Sequence, residues 1–320
     1  MTVAVLGAGA FGTALAITLA RHRNVALIAR DSNAATLMQN ARINERRLPG
    51  ARFPENLEVT SGSQALEIAD TVLVAVPMQQ MRSALDEFGN HVRGKPLVAC
   101  CKGIELKTLT GPARILGEYT DPTRAAILTG PSFAADIARG LPTALTLACA
   151  DGTMGAELQK QLRTDTLRLY RTEDVTGAEL GGALKNVIAI ACGTVIGAGL
   201  GESARAALMT RGYAEMMRIS VALGARAETL SGLSGFGDLA LTCTSEQSRN
   251  YRFGISIGHR DTFDPSITVE GASTARAITR KAQELGIEMP ISQAVVALLD
   301  DKAALRDVIS MLLSRPLKEE

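Results

Sequence analysis

The chain has 320 residues, which is enough for about two domains, and 46% of them are hydrophobic, which suits a protein with a sizeable core. The formal net charge is +1 and the charged residues are scattered, so the composition argues against a nucleic-acid partner. Aromatic residues make up only 3% and the sequence contains no Trp, so stacking platforms for bases are scarce as well.

Features that report on location point to the cell interior. The segment TVAVLGAG follows Met1 without the basic region that is typical of a signal peptide. The longest apolar run, residues 187–200, is shorter than the ~20 residues that span a bilayer. The five cysteines show no CxxC spacing and the three histidines are far apart, so we expect reduced thiols and no metal site. We therefore expect a cytoplasmic protein without membrane insertion.

Short apolar strands alternate with helical segments through the first half of the chain. The predicted strands lie at 2–6, 25–29, 71–76, 97–100, 125–128 and 143–149. They are apolar throughout instead of alternating, which is typical of strands that are covered on both faces. Predicted helices between them include 11–22, 63–69 and 78–88. This order predicts βαβ units and a doubly wound parallel sheet of the Rossmann type.

Helical patterns dominate the second half of the chain, and no convincing strand follows Tyr170. The predicted helices lie at 178–199, 203–223, 272–285, 292–300 and 302–313. We therefore predict an α/β protein with two domains. A Rossmann-type domain occupies residues 1–178, and a mainly α-helical domain occupies residues 179–320.

A glycine-rich turn joins the first predicted strand to the first predicted helix. The sequence GAGAFG has the GxGxxG spacing of dinucleotide-binding folds. In such a turn Gly7 permits the tight bend, Gly9 lets the backbone approach a pyrophosphate, and Gly12 lets the helix pack on the strand. The helix N-terminus then directs unpaired N–H groups at the phosphates. The motif therefore predicts an NAD(P) site in the first domain and leaves the substrate site to the helical domain.

The end of the second predicted strand bears on which dinucleotide is bound. An acidic residue at this point favours NAD, because it binds the ribose hydroxyls. Here the strand ends in Arg30, and Asp31 follows it. A guanidinium suits the 2′-phosphate of NADP, whereas Asp31 keeps NAD open. A solvated arginine without a cofactor role is the third interpretation.

Lys185 is a single cation near the start of the apolar segment GGALKNVIAIACGTVIGAG. On a helix it shares an apolar face with Ile188, Ala189 and Cys192. Burial disfavours a charged ammonium and lowers its pKa, so a lysine here could exchange a proton with an alcohol near neutral pH. The alternative is a lysine on the first turn of a core helix whose charged end reaches water. The helix alone does not decide between the two.

Three other segments carry polar groups that suit a substrate site. CKGIE places Lys102 just after a predicted strand, at the edge where ligands of open α/β sheets bind. TGPSFAAD follows the next strand as a small, kinked loop. LSGFGDLALTCTSEQSRN carries Asp238 in a glycine-flanked loop, and then Arg249 between Ser and Asn. Arg249 with its Ser and Asn neighbours forms a fork of donors that suits a phosphate group.

The ordered segments GAGAFGTALA, CKGIE, GPSFA, ALKNVIAIACG, SGFGDLALTCTSEQSRN and VEG resemble the bacterial NAD(P)-dependent sn-glycerol-3-phosphate dehydrogenase family over nearly the whole chain. The resemblance implies that Lys185 is the catalytic acid/base. It implies substrate contacts from Lys102, Gly130, Ser132, Lys185, Asp238, Ser248, Arg249 and Asn250. Beside the three glycines of the turn, it implies cofactor contacts from Ala10, Phe11, Arg30, Lys102, Ala134, Arg249 and Glu270.

Three positions depart from the pattern of that family. Ala10 stands where Ser is frequent and Phe11 where Trp is common, so a side-chain contact at position 10 would be lost while the backbone contact stays. Asp136 follows GPSFA where Glu is usual. None of these changes touches the lysine or the SRN segment.

The resemblance implies reversible hydride transfer between NADPH or NADH and dihydroxyacetone phosphate, which gives sn-glycerol 3-phosphate for phospholipid synthesis. The expected partners are this small-molecule substrate and, because the second domain has apolar helices, a second copy in a homodimer. One alternative is a 3-hydroxyacid dehydrogenase, which also joins a Rossmann domain to a helical one and whose substrate carboxylate Arg249 could bind. The other is a non-catalytic NADP-binding sensor.

Overall fold

An eight-stranded sheet forms the centre of the N-terminal half in the computed structural model, which describes residues 2–302 and 304–308. The strands are β1 (Val3–Leu6), β2 (Val25–Ile28), β3 (Ile43–Asn44), β4 (Leu48–Arg52), β5 (Leu57–Thr60), β6 (Thr71–Val74), β7 (Leu97–Ala99), β8 (Ala125–Thr129), β9 (Thr143–Cys149) and β10 (Leu167–Thr172). Their order in the sheet is β10-β9-β8-β7-β6-β1-β2-β5, while β3 and β4 form a separate antiparallel hairpin.

All six predicted strands are present, and four others were not predicted. The two that close the sheet, β5 and β10, lie at its edges. In β10 the apolar Leu167 and Leu169 are buried while Arg168, Tyr170 and Arg171 are exposed. A search for continuous apolar runs misses such strands, because an edge strand with one solvated face alternates.

One strand pair departs from the predicted parallel arrangement. Strands β8 and β9 run antiparallel, with Ala126 opposite Cys149 and Thr129 opposite Thr146. The helix between them, Ala134–Arg139, has six residues and is therefore about 9 Å long. The chain thus re-enters the sheet at the edge where β8 ended. All other pairs in this sheet are parallel.

Helices cover both faces of the sheet. They are α1 (Ala10–Ala20), α2 (Ser32–Ala41), α3 (Gln64–Ile68), α4 (Met81–Val92), α5 (Pro112–Leu116), α6 (Ala134–Arg139) and α7 (Gly152–Leu162). Successive residues of β1 enter two different cores: Val3 and Val5 pack into one, and Ala4 and Leu6 pack into the other. Both faces of the central strands are therefore dry, which explains why these strands read as unbroken apolar runs.

The second half of the chain is helical. Its helices are α8 (Val175–Gly197), α9 (Gly201–Ala222), α10 (Ala227–Ser231), α11 (Asp238–Cys243), α12 (Arg249–His259), α13 (Glu270–Glu284) and α14 (Pro290–Leu299). Four of the predicted helices are confirmed, and α10, α11 and α12 were not predicted. The predicted helix 302–313 extends outside the described residues. The predicted domain boundary at residue 178 falls inside α8 and stays a prediction.

Helix α8 is the central element of the helical domain. It has 23 residues, and its most apolar 18-residue window has a mean hydropathy of 1.5, so length and composition alone would let it cross a membrane. This helix is longer than the apolar run in the sequence suggested. However, 89% of that window is buried inside the protein. A helix that is apolar on all sides and covered by other helices is typical of the core of a large domain.

Glycines let α8 and α12 cross at close range. A Cβ atom on Gly193 would overlap the carbonyl oxygen of Tyr251, and a Cβ atom on Gly254 would overlap the carbonyl oxygen of Ile190. Backbone therefore touches backbone at this crossing, with no room for a side chain. The position of α12 along α8 is fixed by these contacts.

Replacement of Gly193 by Ala should therefore destabilise the protein. Because the new methyl group meets backbone, which cannot rotate away, we expect the free energy of unfolding to fall by about 1–3 kcal/mol. The matched control is Gly155→Ala in α7, where the added Cβ would lie 3.5 Å from the Cβ of Cys149, an ordinary contact. Urea denaturation measures both variants, and equal transition midpoints for the two would contradict the close crossing.

Candidate active site

Two lysines share one buried carboxylate at the junction of the sheet and the helical domain. The Nζ of Lys185 donates to Asp238 Oδ1 at 2.6 Å, and the Nζ of Lys102 donates to Asp238 Oδ2 at 2.5 Å. Lys185 also donates to Thr242 Oγ1 at 2.6 Å, and Lys102 to the carbonyl oxygen of Gly130 at 3.1 Å. We call Lys102, Lys185, Asp238 and Thr242 the lysine cluster. Asp238 is fully buried, and Lys185 is 6% exposed.

The lysine cluster is assembled from three parts of the fold. Lys102 follows β7 at the carboxyl edge of the sheet, as predicted from the sequence, and Lys185 lies on α8. Asp238 is the first residue of α11, directly after a π-helical turn, Leu233–Gly237. The sequence placed Asp238 in a loop, and this expectation is wrong because the turn before it winds straight into the helix. Such π-helical turns occur frequently at functional sites.

Two glycines of α8 allow the surrounding backbone to come close to Lys185. A Cβ atom on Gly181 would lie 2.5 Å from the carbonyl oxygen of Ser234, in the π-helical turn. A Cβ atom on Gly182 would lie 2.5 Å from the hydroxyl oxygen of Thr129, at the end of β8. Any side chain at these positions would push the turn or the sheet edge away from α8. The small residues before Lys185 therefore set how closely the two domains meet at the lysine cluster.

Burial changes the acidity of Lys185. Removal from water lowers its pKa to about 8, the negative charge of Asp238 acts in the opposite direction, and the positive charge of Lys102 lowers the pKa further. An ammonium has three N–H donors, and the cluster uses two on each lysine. One donor on each lysine is left for an oxygen atom of a ligand. The arrangement can therefore hold a carbonyl or hydroxyl oxygen and exchange a proton with it near neutral pH.

The loop after β8 forms a wall beside Lys102. Gly130 has a φ of +134°, which favours glycine, and its carbonyl oxygen faces the ammonium of Lys102. The hydroxyl of Ser132 donates to the same carbonyl oxygen at 3.3 Å. Ala134 is the first residue of α6 and packs on the core of the sheet domain. The structure thus brings Gly130 and Ser132 to the lysine cluster, while Ala134 follows four residues after Gly130 at the start of α6.

The SRN segment is the N-terminus of α12 and not a loop. Ser248 caps this helix by accepting from the backbone N–H of Tyr251 at 3.2 Å. Asn250 is buried, and its Oδ1 accepts from the backbone N–H of Gly271 at 2.9 Å. Arg249 is exposed at the start of the helix. Ser248 therefore fixes the start of α12, and Asn250 holds α12 to α13. Arg249 is the member of the predicted fork that is exposed to solvent.

Glu270 lies at the start of α13, close to Arg249. Burial raises the pKa of Glu270, and the positive charge of Arg249 opposes this rise. Glu270 also lines a cavity of about 100 Å³ with residues that include Met78 and Gly103. Gly103 follows Lys102 in the chain, so the cavity adjoins the lysine cluster. The predicted cofactor residue Glu270 is thus near both Arg249 and Lys102.

The glycine-rich turn has the geometry that a dinucleotide needs. Gly7 has a φ of +114°, and a Cβ atom on it would lie 2.7 Å from the carbonyl oxygen of Ala75. A Cβ atom on Gly12 would overlap the carbonyl oxygen of Gly7, whereas one on Gly9 would meet nothing within 4 Å. The space in front of Gly9 is therefore open to a ligand. Ala10 and Phe11 begin α1, whose first N–H groups face this space without helical acceptors. These residues fit a pyrophosphate group.

Arg30 and Asp31, which follow β2 and bear on cofactor preference, differ in their contacts. Arg30 is exposed, and in the part of the chain that the structure describes its side chain has no hydrogen bond or ion pair. Asp31 caps α2 by accepting from the backbone N–H of Ala34 at 2.7 Å. One oxygen of the carboxylate that kept NAD open is thus bound within its own helix.

Thr242 is a member of the lysine cluster that the sequence interpretation missed. It lies four residues after Asp238, so the two side chains share one face of α11. This spacing is visible in the sequence, but only once Asp238 is known to begin a helix. Asn186, which follows Lys185 on α8, directs its amide nitrogen towards the carbonyl oxygen of Gly182 at 3.5 Å.

The fold and the site define a class, the two-domain dinucleotide-binding oxidoreductases. The family described as NAD-dependent glycerol-3-phosphate dehydrogenase N-terminus matches residues 2–155, and the corresponding C-terminus matches residues 174–310. The chain therefore belongs to the NAD-dependent glycerol-3-phosphate dehydrogenase family.

Relatives and solved structures agree with this membership. The chain is 62% identical to a glycerol-3-phosphate dehydrogenase (NAD(P)+) of Ruegeria sp. strain TM1040 and 58% identical to one of Roseobacter denitrificans, each over 100% of both chains. A crystal structure of glycerol-3-phosphate dehydrogenase from Coxiella burnetii aligns with a TM-score of 0.90 and 34% identity, over 98% of this chain and 99% of that one. A D-mandelate dehydrogenase structure, at 15% identity and a TM-score of 0.67, shares the fold alone.

Loss of the shared carboxylate should destabilise the folded protein. In Asp238→Asn two ammonium groups lose their counter-charge at a buried position, and we expect the free energy of unfolding at pH 7 to fall by about 3 kcal/mol or more. Asp136→Asn is the control, because Asp136 pairs with Arg139 on the surface and a pair of this kind contributes only about 1 kcal/mol or less. Similar unfolding curves for the two variants would contradict the role of Asp238.

Proposed function

We propose that the protein is an NAD(P)-dependent glycerol-3-phosphate dehydrogenase that interconverts dihydroxyacetone phosphate and sn-glycerol 3-phosphate. The full-length similarity to curated enzymes of that name supports this assignment. The observation that carries it is the lysine cluster, in which Lys185 is buried beside Asp238 and keeps one donor free. A buried lysine with a pKa of about 8 is suited to exchange a proton with an alcohol.

In the reducing direction, Lys185 acts as the acid. The charged ammonium donates its free N–H to the ketone oxygen and transfers a proton as negative charge develops there. In the oxidising direction, the neutral amine removes the proton from the hydroxyl group. The bound nicotinamide supplies or accepts the hydride. Lys185 has to change its charge in each turnover, and a pKa near physiological pH makes both charge states available.

The other members of the lysine cluster orient Lys185 and add charge. Asp238 and Thr242 take two of its three N–H donors, so the third has one direction left. Lys102 places a second positive charge on the other oxygen of Asp238, close to the reacting oxygen. This charge stabilises a developing alkoxide and keeps the pKa of Lys185 low.

The remaining predicted substrate residues surround this point. We propose that Arg249 binds the phosphate group of the substrate, since its charged group is exposed at the N-terminus of α12. Gly130 and Ser132 form the wall next to Lys102, and Ser248 and Asn250 contribute from the same end of α12 as Arg249. Binding energy from the phosphate then helps to hold the carbonyl carbon in position.

The cofactor is NADP or NAD. We propose that the turn with Gly7, Gly9 and Gly12 and the start of α1, with Ala10 and Phe11, hold its pyrophosphate, because the space in front of Gly9 is open. The adenosine end is assigned to Arg30. We assign the nicotinamide end to Lys102 and Ala134, at the sheet edge and the start of α6, and to Arg249 and Glu270, at the starts of α12 and α13.

The alternatives receive less support. A 3-hydroxyacid dehydrogenase does not fit the family membership of both halves of the chain. A sensor without turnover gives no reason for a buried lysine that keeps a free donor beside a bound carboxylate. We also propose a cytoplasmic enzyme, because all five cysteines are free and buried, as expected in a reducing compartment. A homodimer stays a prediction from the apolar helices of the second domain.

Replacement of Lys185 by Met should abolish turnover while it leaves the cofactor site intact. Methionine has a similar length but no proton to transfer, so we expect the rate of dihydroxyacetone-phosphate-dependent NADPH oxidation to fall by about 100-fold or more. The control is Lys160→Met on the exposed face of α7. Binding of NADPH, followed by its fluorescence, should match the wild type in both variants. A decrease of less than about tenfold in the rate of Lys185→Met would contradict the proton-transfer role.

The two directions of the reaction should depend on pH in opposite ways. Because the pKa of Lys185 is lowered to about 8, its charged form is lost as the pH rises through that value. The kcat/KM for ketone reduction, which reports the pKa values of the free enzyme, should therefore fall above about pH 8. The kcat/KM for alcohol oxidation should rise with pH and level off above the same value. Profiles in both directions that stay flat up to about pH 10 would contradict the assignment.

A further inference from the structure

The loop that carries Lys102 contacts both halves of the chain. We call residues 100–111 the β7–α5 loop, and they contain no helix or strand. Ile104, Leu106 and Leu109 of this loop pack on the core of the helical domain, and Ile104 is buried there. Regular secondary structure therefore does not fix the position of Lys102, which depends on the groups that bind the loop.

Gln79 binds the backbone of this loop with both ends of its amide group. Its Nε2 donates to the carbonyl oxygen of Ile104 at 2.8 Å, and its Oε1 accepts from the backbone N–H of Leu106 at 3.1 Å. Gln79 lies in a 3₁₀ turn, Met78–Gln80, between β6 and α4. The two bonded groups flank Glu105, so Gln79 fixes the direction in which the side chain of Glu105 leaves the loop.

The side chain of Glu105 points back to the sheet domain. Its Oε1 accepts from the Nε of Arg82 at 2.8 Å, and its Oε2 accepts from the hydroxyl of Thr108 at 2.5 Å. Arg82 lies on α4, whereas Thr108 belongs to the loop itself. Glu105 is only 8% exposed, and the loss of one partner of a buried ion pair is strongly destabilising. Glu105 therefore anchors the loop to α4.

Arg82 is itself oriented by a second carboxylate. Its two remaining nitrogens donate to Glu118 Oε2 at 2.5 Å and to Glu118 Oε1 at 2.9 Å. Paired bonds of this kind fix the plane of a guanidinium group. Glu118 follows α5, outside the loop, and its side chain is 50% exposed, against 10% for Glu105. The two carboxylates thus bind the same arginine, and one of them belongs to the loop.

We propose, on the basis of the function proposed above, that Gln79 and Glu105 are positioning residues for Lys102. They hold the β7–α5 loop between α4 and the helical domain, so that the ammonium of Lys102 reaches Asp238 and the carbonyl oxygen of Gly130. Glu105 follows Lys102 by three residues, so at most about 11 Å separates their Cα atoms. A displacement of the loop at Glu105 is therefore transmitted to Lys102.

The position of Lys102 acts on Lys185. Burial lowers the pKa of Lys185 most, and the positive charge of Lys102 lowers it further. The ionisable groups that act on Lys185 include Asp238 and Cys243 of α11, Glu270 of α13 and Lys102. Of these four, Lys102 belongs to the β7–α5 loop. When Lys102 moves away, Lys185 loses a repelling charge and keeps Asp238 to itself, and both changes raise its pKa.

The direct test measures the pKa of Lys185 by carbon-13 NMR in the full chain without substrate. In Glu105→Ala we expect this pKa to rise by about 0.5 or more. Removal of a negative charge would by itself lower the pKa of a lysine, so a rise reports the displacement of Lys102. Glu118→Ala is the matched control, because it removes an exposed carboxylate from the same arginine, and its effect should stay below about 0.2.

A conservative variant separates hydrogen bonding from charge. Glu105→Gln keeps the length of the side chain and an oxygen that accepts from Arg82, so the pKa of Lys185 should return to within about 0.2 of the wild type. An unchanged pKa in folded Glu105→Ala, or equal rises in Glu105→Ala and Glu118→Ala, would overturn the positioning role. A thermal melt of each variant shows that it is folded.

Gln79 gives a second test that changes no charge. Gln79→Ala removes both bonds to the loop and should raise the pKa of Lys185 in the same direction, whereas Gln80→Ala, exposed in the same turn, should leave it unchanged. Gln79 is exposed, so this variant is expected to fold even if Glu105→Ala does not. The same pKa in Gln79→Ala and Gln80→Ala would contradict the role of Gln79.

Activity shows whether both residues act through Lys102. Gln79→Ala should lower kcat/KM for dihydroxyacetone phosphate by about tenfold, and the same change made in Lys102→Met should have no further effect. Additive losses in the double variant would contradict action through Lys102. If the wild type does not turn over this substrate, the proposed function fails, while the NMR titration still decides whether Gln79 and Glu105 position Lys102.

Discussion

The candidate site depends on one fully buried carboxylate that binds two cations. Asp238 receives Lys185 from α8 on one oxygen and Lys102 from the sheet edge on the other. Burial of three charges is costly, and it is tolerated only when the partners are well placed and further hydrogen bonds complete the network. Gly130 and Thr242 supply those bonds. The relative position of the two halves of the chain at this point is therefore part of the chemistry.

The packing around α8 holds the two halves of the chain close together at Asp238. Glycines at 181 and 182 bring the π-helical turn and the end of β8 against the helix, and glycines further along it admit α12. The close approaches at Gly181 and Gly182 remove water from the surroundings of Lys185. The same packing that makes α8 a core helix therefore lowers the pKa of its lysine towards neutrality. Both the packing of α8 and the lowered pKa of Lys185 therefore require small residues around this single cation.

Features of the site that arise from local pattern could be predicted from the sequence. The six apolar strands, the glycine turn at its position after β1, and Lys102 at a strand end all follow from spacing and composition. Edge strands such as β10 could not be found in the same way, because they alternate. Asp238 lies 53 residues after Lys185 and 136 residues after Lys102 in the chain, so no local sequence pattern predicts these two ion pairs. Thr242 is a functional candidate only because of such a long-range contact.

Ionisation of Lys185 in the folded protein is the property on which this account depends most. A carbon-13 NMR titration of lysine-labelled protein, with the Lys185 signal assigned by its loss in Lys185→Met, measures its pKa directly. The account predicts a pKa of about 8 for Lys185. A value near 10.4, as for a lysine in water, would contradict the claim that burial beside Asp238 and Lys102 prepares Lys185 for proton transfer.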